Sequence, residues 1–339
     1  LADETARQAE LLRRQRAGDL VDAELAQLRT RIAALRAELS AWSDYETPKT
    51  DDIGYASPTP WADERGVFVL FGNGVLAHHA PDGRLLWRHW LGRTSRDKWG
   101  YQGGDTASPQ LIDGVLVVPY GTLRGLDPAT GQQRWSGPAW PHYGTPTATR
   151  VDGVWVVLTP AGEVVRVSDG RTLTTALGRL SYLAPTARGA DVFLVGGDGN
   201  VADNNPNTAS AWRLSHAGST ATLRWRVDVA TRDRFYATPV VHGPHLFAVT
   251  RHRGLHVFDV ETGQLVHTAT LHGLTGEVMA SLLIAGDALW VSTDAGHLAE
   301  VDTRAPFHVL RTLQGPRGPS TPWLGPTGAW LRGRDALWH

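Results

Sequence analysis

The sequence predicts an all-β fold, about seven four-stranded blades of a β-propeller, preceded by an N-terminal α-helical hairpin or coiled-coil arm. Three observations lead there. A short phrase, a small residue and usually Pro, recurs after residue 55 as ASPTP at 56, ASPQL at 107, GTPTA at 144, LAPTA at 183, ATPVV at 237, ASLLI at 280 and STPWL at 320. Its spacing of roughly 40 residues is the period of a propeller blade. The composition, Gly 37, Pro 20 and Trp 14 against a single Met, suits short strands, tight turns and aromatic packing anchors. Only residues 3–41 depart from this pattern, being rich in Ala, Glu, Arg and Leu and free of Pro. The chain therefore reads as an amphipathic helical arm, 1–45, and a propeller, 46–339.

Within the arm, Gly18 is expected to end a first helix over 3–17, and Asp19 to N-cap a second over 20–41 with Asp22 in its first turn, where the helix dipole favours a carboxylate. Val21, Leu25, Leu28, Ile32, Leu35 and Leu39 fall on one stripe, with Arg29, Arg31, Arg36 and Glu38 outside it. A second surface must cover such a stripe. The candidates are the chain's own propeller, a second copy in a coiled coil, or another protein. About three heptads are short for an autonomous coiled coil. WSDYETPKTDD at 42–52 then loses the helical period and reads as a linker.

The unit at 107–137, ASPQLIDGVLVVPYGTLRGLDPATGQQRWSG, shows the logic of a blade: strand, Asp113-Gly114 turn, strand, Gly121 turn, strand, Pro-Ala-Thr-Gly turn, strand. Asp152-Gly153 stands at the same place in the next unit, and His242-Gly243, Arg188-Gly189 and Gly286-Asp287 replace it elsewhere. The segments GVLVVPYG, GVWVVLTP, HLFAVTRH and ALWVSTDA are apolar on both faces, as strands sandwiched between blades must be. The last unit ends after about three strands. The linker around Glu46–Ile53 is expected to supply the missing outer strand and so remove an exposed sheet edge.

Leu126, Asp127, Thr130, Gly131 and Trp135 form an Ala/Leu-x-Asp-x-x-Thr-Gly-x-x-x-Trp phrase, and Phe258, Asp259, Thr262 and Gly263 repeat it until His267 takes the Trp place. Pro81-Asp82-Gly83 with Trp87, and Ser168-Asp169-Gly170, look like eroded copies. In these residues the chain resembles the PQQ-like β-propeller repeat family, over about 56–339. The resemblance implies that the outer-strand Trp wedges against the Gly turn of an adjacent blade, so that Trp87, Trp135, Trp225, Asp127, Thr130, Gly131, Asp259, Thr262 and Gly263 are blade-packing residues. It also implies an extracytoplasmic (periplasm or cell envelope) protein. Quinone-dependent dehydrogenases of the family resemble this chain in outline. However, the alcohol-oxidising type uses an adjacent Cys pair, a Ca²⁺ ion and an Asp base, and this chain has Cys 0 and shows no Glu, Asn and Asp set beside a quinone. Its non-enzymatic relatives include the propeller lipoprotein of the outer-membrane β-barrel assembly machinery, a scaffold of similar size.

Other candidate sites are few. Asp198, Asn200, Asp203 and Asn205 in GGDGNVADNNPNTAS offer oxygen ligands for Ca²⁺ but lack a bidentate Glu, and such loops are common solvated turns. The insertion at 92–106 carries Arg93, Arg96, Lys98, Trp99 and Tyr101, either a binding face or an ordinary connector with its Trp tucked into a blade. His252 and His256, and His242 and His245, read as turn or surface residues rather than zinc ligands. No nucleophile elbow, phosphate loop or HExxH pair occurs. A formal net charge of -1 gives no field to recruit nucleic acid. No stretch approaches the roughly 18 apolar residues of a membrane span; the chain opens on Leu1, and any leader or anchor is expected to lie outside it. The expectation is a non-catalytic scaffold without cofactor, a complex subunit that meets protein partners through the arm and the rim loops, with Val21, Leu25, Leu28, Ile32, Leu35, Leu39, Arg96, Trp99 and Tyr101 as interaction residues. The alternatives are a PQQ- and Ca-dependent oxidoreductase of alcohols or sugars, and a carbohydrate- or peptide-binding propeller.

Overall fold

The structure, a computed structural model, describes residues 2–40, 58–92, 94, 107–140, 143–180, 182–196, 207–318, 320–325, 328–332 and 337–338. The chain divides into two compact units, Leu1–Pro48 and Lys49–His339. Among the described residues, no helix is long and apolar enough to cross a membrane.

The first unit is a hairpin of two helices, α1 (Ala2–Arg16) and α2 (Asp22–Ser40). Gly18, at φ 95, closes α1 as expected: the Asp19 N–H reaches back to the Arg14 carbonyl, a Schellman arrangement that only a left-handed residue permits cheaply. The expected N-cap is corrected. Asp19 is spent in closing α1, where its carboxylate also takes the Arg14 Nε at 3.0 Å. The helix α2 starts later, its first intrahelical bond running from Leu25 N–H to the Val21 carbonyl. Val21, Leu25, Leu28 and Ile32 are buried and cluster with Leu11 and the partly buried Leu12 of α1. At roughly 1.5–3 kcal/mol per buried aliphatic side chain, this stripe outweighs any exposed ion pair as the hairpin's cohesion. Glu4–Arg31 at 2.5 Å, Arg7–Glu24 at 2.6 Å and a Gln15–Asp22 hydrogen bond pair rising numbers on α1 with falling numbers on α2, so the helices are antiparallel.

The second unit is a succession of antiparallel sheets, each a simple meander, at 61–90, 110–140, 147–174, 186–229, 240–270, 283–314 and 323–338. We call these blades 1 to 7, with the fourth strand outermost. Asp113 and Gly114, at φ 48 and 74, and Asp152 and Gly153, at φ 48 and 83, form the two-residue hairpin turns expected of them. The second strands Asp191–Val195 and Ala288–Ser292 are buried at every position, as strands with a blade on either side must be.

In blade 2 the second and third strands follow one another without a gap over Val115–Leu126, the first part paired with Gln110–Ile112 and the second with Gln133–Trp140. The chain turns back at Gly121, φ 65, as expected: the Arg134 guanidinium, beside Leu126, reaches the Gly114 carbonyl, which an unreversed run of that length would place far away. Blade 7 has three strands among the described residues, as its sequence suggested. The linker around Glu46–Ile53, proposed to complete it, lies outside the described residues.

Two rows of contacts join the blades. The inner row is made by the recurring opening phrases. Thr147 Oγ1 donates to the Pro185 carbonyl, Thr186 Oγ1 to the Pro239 carbonyl, and the backbone N–H of Ser108 to Thr145 Oγ1, each across a blade boundary. The outer row involves the outer strands. In blades 1, 2, 4, 5 and 6 the pairing of third and outer strands shifts register at the same place, a β-bulge that leaves Leu86, Arg134, Arg224, Val266 and Leu310 as the extra residue. Leu86, Val266 and Leu310 are exposed, as are their outer-strand neighbours Leu85, Leu265 and Leu313.

Candidate functional site

The Asp-x-x-Thr-Gly phrase builds a self-contained turn. Asp127 Oδ1 accepts the N–H groups of Ala129 and Thr130, its Oδ2 takes Arg134 at 2.6 Å, and hydrogen bonding from that guanidinium holds the carboxyl below its ordinary range. Asp259 Oδ1 accepts the Glu261 and Thr262 N–H groups and the Thr262 hydroxyl, and the hydroxyl bond leads in holding that carboxyl low. In blade 3 the polarity is exchanged: Arg166 stands at the Asp position and bonds Asp169 at the Thr position. The turn keeps its shape because either order closes the same link.

Each turn receives the ring of the preceding blade. The indole N–H of Trp87 donates to the Pro128 carbonyl at 3.0 Å, that of Trp135 to Val167 at 2.8 Å, and that of Trp225 to Val260 at 2.9 Å. A Cβ on Gly170 or Gly263 would fall 2.5 Å from the indole of Trp135 or Trp225. These tryptophans are wedges between blades, and their indoles are occupied by packing. At the boundary of blades 3 and 4 the tip of a longer hairpin, His216–Gly218, does the same work, Gly218 lying against Val156, Val164 and Leu173.

The more promising surface carries no repeat motif of its own. In a meander, the turns between second and third strands and the connections from blade to blade emerge at the same end of the sheets. At that end Tyr143, Tyr182 and Tyr236 each stand three residues before the Pro of an opening phrase, at the starts of blades 3, 4 and 5. The signal was present in PHYGTPTA, LSYLAPTA and RFYATPVV, one column to the left of the phrase. The rings are half-buried and form a row, with centroids 5.9 Å apart between Tyr143 and Tyr182 at 24° and 4.9 Å apart between Tyr182 and Tyr236 at 86°.

Tyr236 is held by a hydrogen bond with Arg251. Arg251 Nε lies 3.6 Å from Glu277 and 4.0 Å from Asp233, whose carboxylate also takes the His252 Nδ1 at 2.8 Å. Burial pushes the Asp233 carboxyl up, but hydrogen bonds from Thr250 and from the His252 backbone and ring outweigh it and leave the group below its ordinary range. The cluster is thus a set of polar side chains committed to one another. It positions a ring; it offers no nucleophile.

The other sequence candidates fall as follows. Val21, Leu25, Leu28 and Ile32 are buried in the arm and Leu35 is half-buried, so the stripe is covered by α1 at its start. The side chain of Leu39 lies outside the described part, as do Arg96, Trp99, Tyr101, Asp198, Asn200, Asp203 and Asn205. Among the described residues, no group of three or more His, Asp or Glu is arranged to hold a metal ion. His252 is an exposed turn residue, whereas His256 is buried against Phe235 and Phe258, where burial pushes its ring basicity down. His242 and His245 are register partners across a hairpin turn, and His245 packs edge-on to Phe247 and Phe307.

Residues 217–306 match the family described as outer membrane protein assembly factor BamB. Among solved structures, BamB from Moraxella catarrhalis is 20% identical, with a TM-score of 0.55 over 81% of this chain and 79% of that one. A computationally designed protein, Ika8, is 15% identical, with a TM-score of 0.51 over 83% of this chain and 95% of that one. At such identities the likeness speaks to fold, and no curated protein sequence matches. The chain thus resembles the PQQ-like β-propeller repeat family, over 81% of its length in fold and over residues 217–306 in sequence.

Proposed function

We propose that this protein is a non-catalytic propeller scaffold, an extracytoplasmic subunit of a larger assembly that binds protein partners at the end of the propeller where the blade connections gather, with the helical arm as an attachment element. The observation that carries this reading is the match of residues 217–306 to an assembly-factor family. That stretch contributes Tyr236, Arg251 and Glu277. The geometry agrees, since the repeated phrase serves packing and the ionic cluster orients a side chain. The arm's apolar stripe is covered within the hairpin from Val21 to Ile32, so attachment over that stretch falls to its polar outer faces and to Leu20 at the tip, 99% exposed.

Cross-linking mass spectrometry on the protein at native abundance tests the reading. Cross-links from the arm or from the connection end to another polypeptide are expected; cross-links confined to the chain itself would overturn it. The scaffold carries no cofactor, so reconstitution with PQQ and Ca²⁺ is expected to give no dye reduction with alcohols or sugars. Turnover there would make the protein a quinoprotein oxidoreductase instead.

A further inference from the structure

The connection end of blades 3 to 5 has a chemical bias that narrows the partner. Four of its described carboxylates are engaged: Asp233 with His252, Glu277 with Arg251, Glu163 with the Thr159 hydroxyl, and Asp294 with the backbone N–H of Glu277. Asp228, exposed at the end of the outer strand of blade 4, makes no ion pair among the described residues. Two cations there are also unengaged. Arg179 lies three residues before Tyr182, and Arg232 four residues before Tyr236; both are exposed and make no ion pair among the described residues. Among the described residues, the uncommitted charge beside Tyr182 and Tyr236 is therefore net positive, Arg179 and Arg232 against Asp228, although the whole chain is close to neutral.

Resting on the scaffold reading, we infer that this end binds an extended, acidic polypeptide segment of a partner protein, with apolar or aromatic side chains on Tyr143, Tyr182 and Tyr236 and carboxylates against Arg179 and Arg232. Single-file geometry favours an extended occupant. Two ring-to-ring steps of 5.9 Å and 4.9 Å span about three residues of extended chain, at roughly 3.3 Å each. Tyrosine suits the task because it presents a large amphipathic face at low entropic cost, and Arg251 lowers that cost further by holding Tyr236 in place. Charge complementarity then selects the sign of the partner and raises the rate of encounter.

The test uses the full chain and fluorescence anisotropy with three labelled probes: a twelve-residue peptide alternating Asp or Glu with Phe, Tyr or Pro, the same peptide with Lys for every acid, and a twelve-residue oligothymidylate. The acidic peptide is expected to bind and to weaken with added salt, while the Lys peptide does not bind. The double variant Arg179→Glu/Arg232→Glu should weaken it at least tenfold. Tyr182→Ala should do the same and Tyr182→Phe should not, with thermal unfolding used to confirm that each variant is folded. Failure of the acidic peptide to bind, equal binding of the Lys peptide, or indifference to both Tyr182→Ala and the charge reversal would overturn the inference. Equally tight oligothymidylate binding with the same dependence would make the face a general polyanion surface and overturn it also. If native cross-links to a protein persist in the charge-reversed variant, the scaffold reading survives this failure; if they too are absent, both fall.

Discussion

The boundary between blades 4 and 5 and the boundary between blades 5 and 6 solve one packing problem in opposite ways. At the first, the outer strand supplies the bulk and the turn supplies none: Trp225 lies over Gly263, which adopts φ 74. At the second, the outer strand offers the smaller His267 and the turn answers with Phe307, also left-handed at φ 60, the two rings 5.2 Å apart. Phe307 is further enclosed by Phe247 and His245. A bulky residue in that backbone region is costly, so its surroundings must hold it there. The comparison teaches that the repeat conserves the volume at each boundary rather than the identity of the residues that fill it.

The largest effect expected from breaking this comparison is that of Trp225→Ala. It removes the wedge and its hydrogen bond, and urea unfolding should show a loss of about 3–5 kcal/mol. Phe307→Gly should come close to that loss, since it empties the other boundary. The sharper experiment adds His267→Trp to Phe307→Gly, transplanting the first arrangement onto the second. Recovery of about 0.5–3 kcal/mol relative to additivity is expected in the double-mutant cycle, and strict additivity would show that the two boundaries are not interchangeable. Gly263→Ala comes next, at about 2 kcal/mol, because its Cβ meets the Trp225 indole in a well-packed site.

A pH effect follows from what lies beneath the wedges. Trp135 and Trp225 pair across the sheet with Gly125 and Ala211, but Trp87 pairs with His78, which stacks on Phe68 with ring centroids 4.0 Å apart and has no hydrogen-bond partner at either ring nitrogen. Burial pushes the basicity of His78 and of His256 down in the folded state. Below about pH 6.5 the unfolded chain then binds protons that the folded chain refuses, so stability is complete above that pH and declines as pH falls towards the lowered folded values. The double variant His78→Phe/His256→Phe should flatten this decline in unfolding free energies measured between pH 7.5 and 5; an unchanged slope would assign it to other groups. The smallest effect belongs to Arg224→Ala. It breaks a bridge from the bulge of blade 4 to the exposed Glu261 of blade 5 and a longer contact to Asp191, which Arg213 still pairs at 2.7 Å, so at moderate salt the midpoint of unfolding should barely move.

Much of this was legible in sequence. The opening phrases, the Asp-Gly turns and the Thr-Gly-x-x-x-Trp phrase are short-range patterns, and each acts through its own backbone or the next blade. The reading of the arm was partly right: Gly18 ends α1, but Asp19 could not also start α2 because it completes the termination of the first helix. The Gly121 turn of blade 2 was legible as well, because a positive φ at a Gly inside an apolar run is a local property of the chain. The tyrosine row escaped notice because its members are about 40 and 54 residues apart, and nothing in any one of those segments says that the rings meet.

By itself, the sequence determined the repeat, the strand content and the turns with positive φ. These depend on local backbone preference and on hydrophobic period, both carried by neighbouring residues. Only the tertiary structure decided which rings share a boundary, that His267 and Phe307 replace a Trp and a Gly, and that three tyrosines and two uncommitted arginines gather at one end. Those outcomes depend on the register between blades, which is set by packing the whole unit at once.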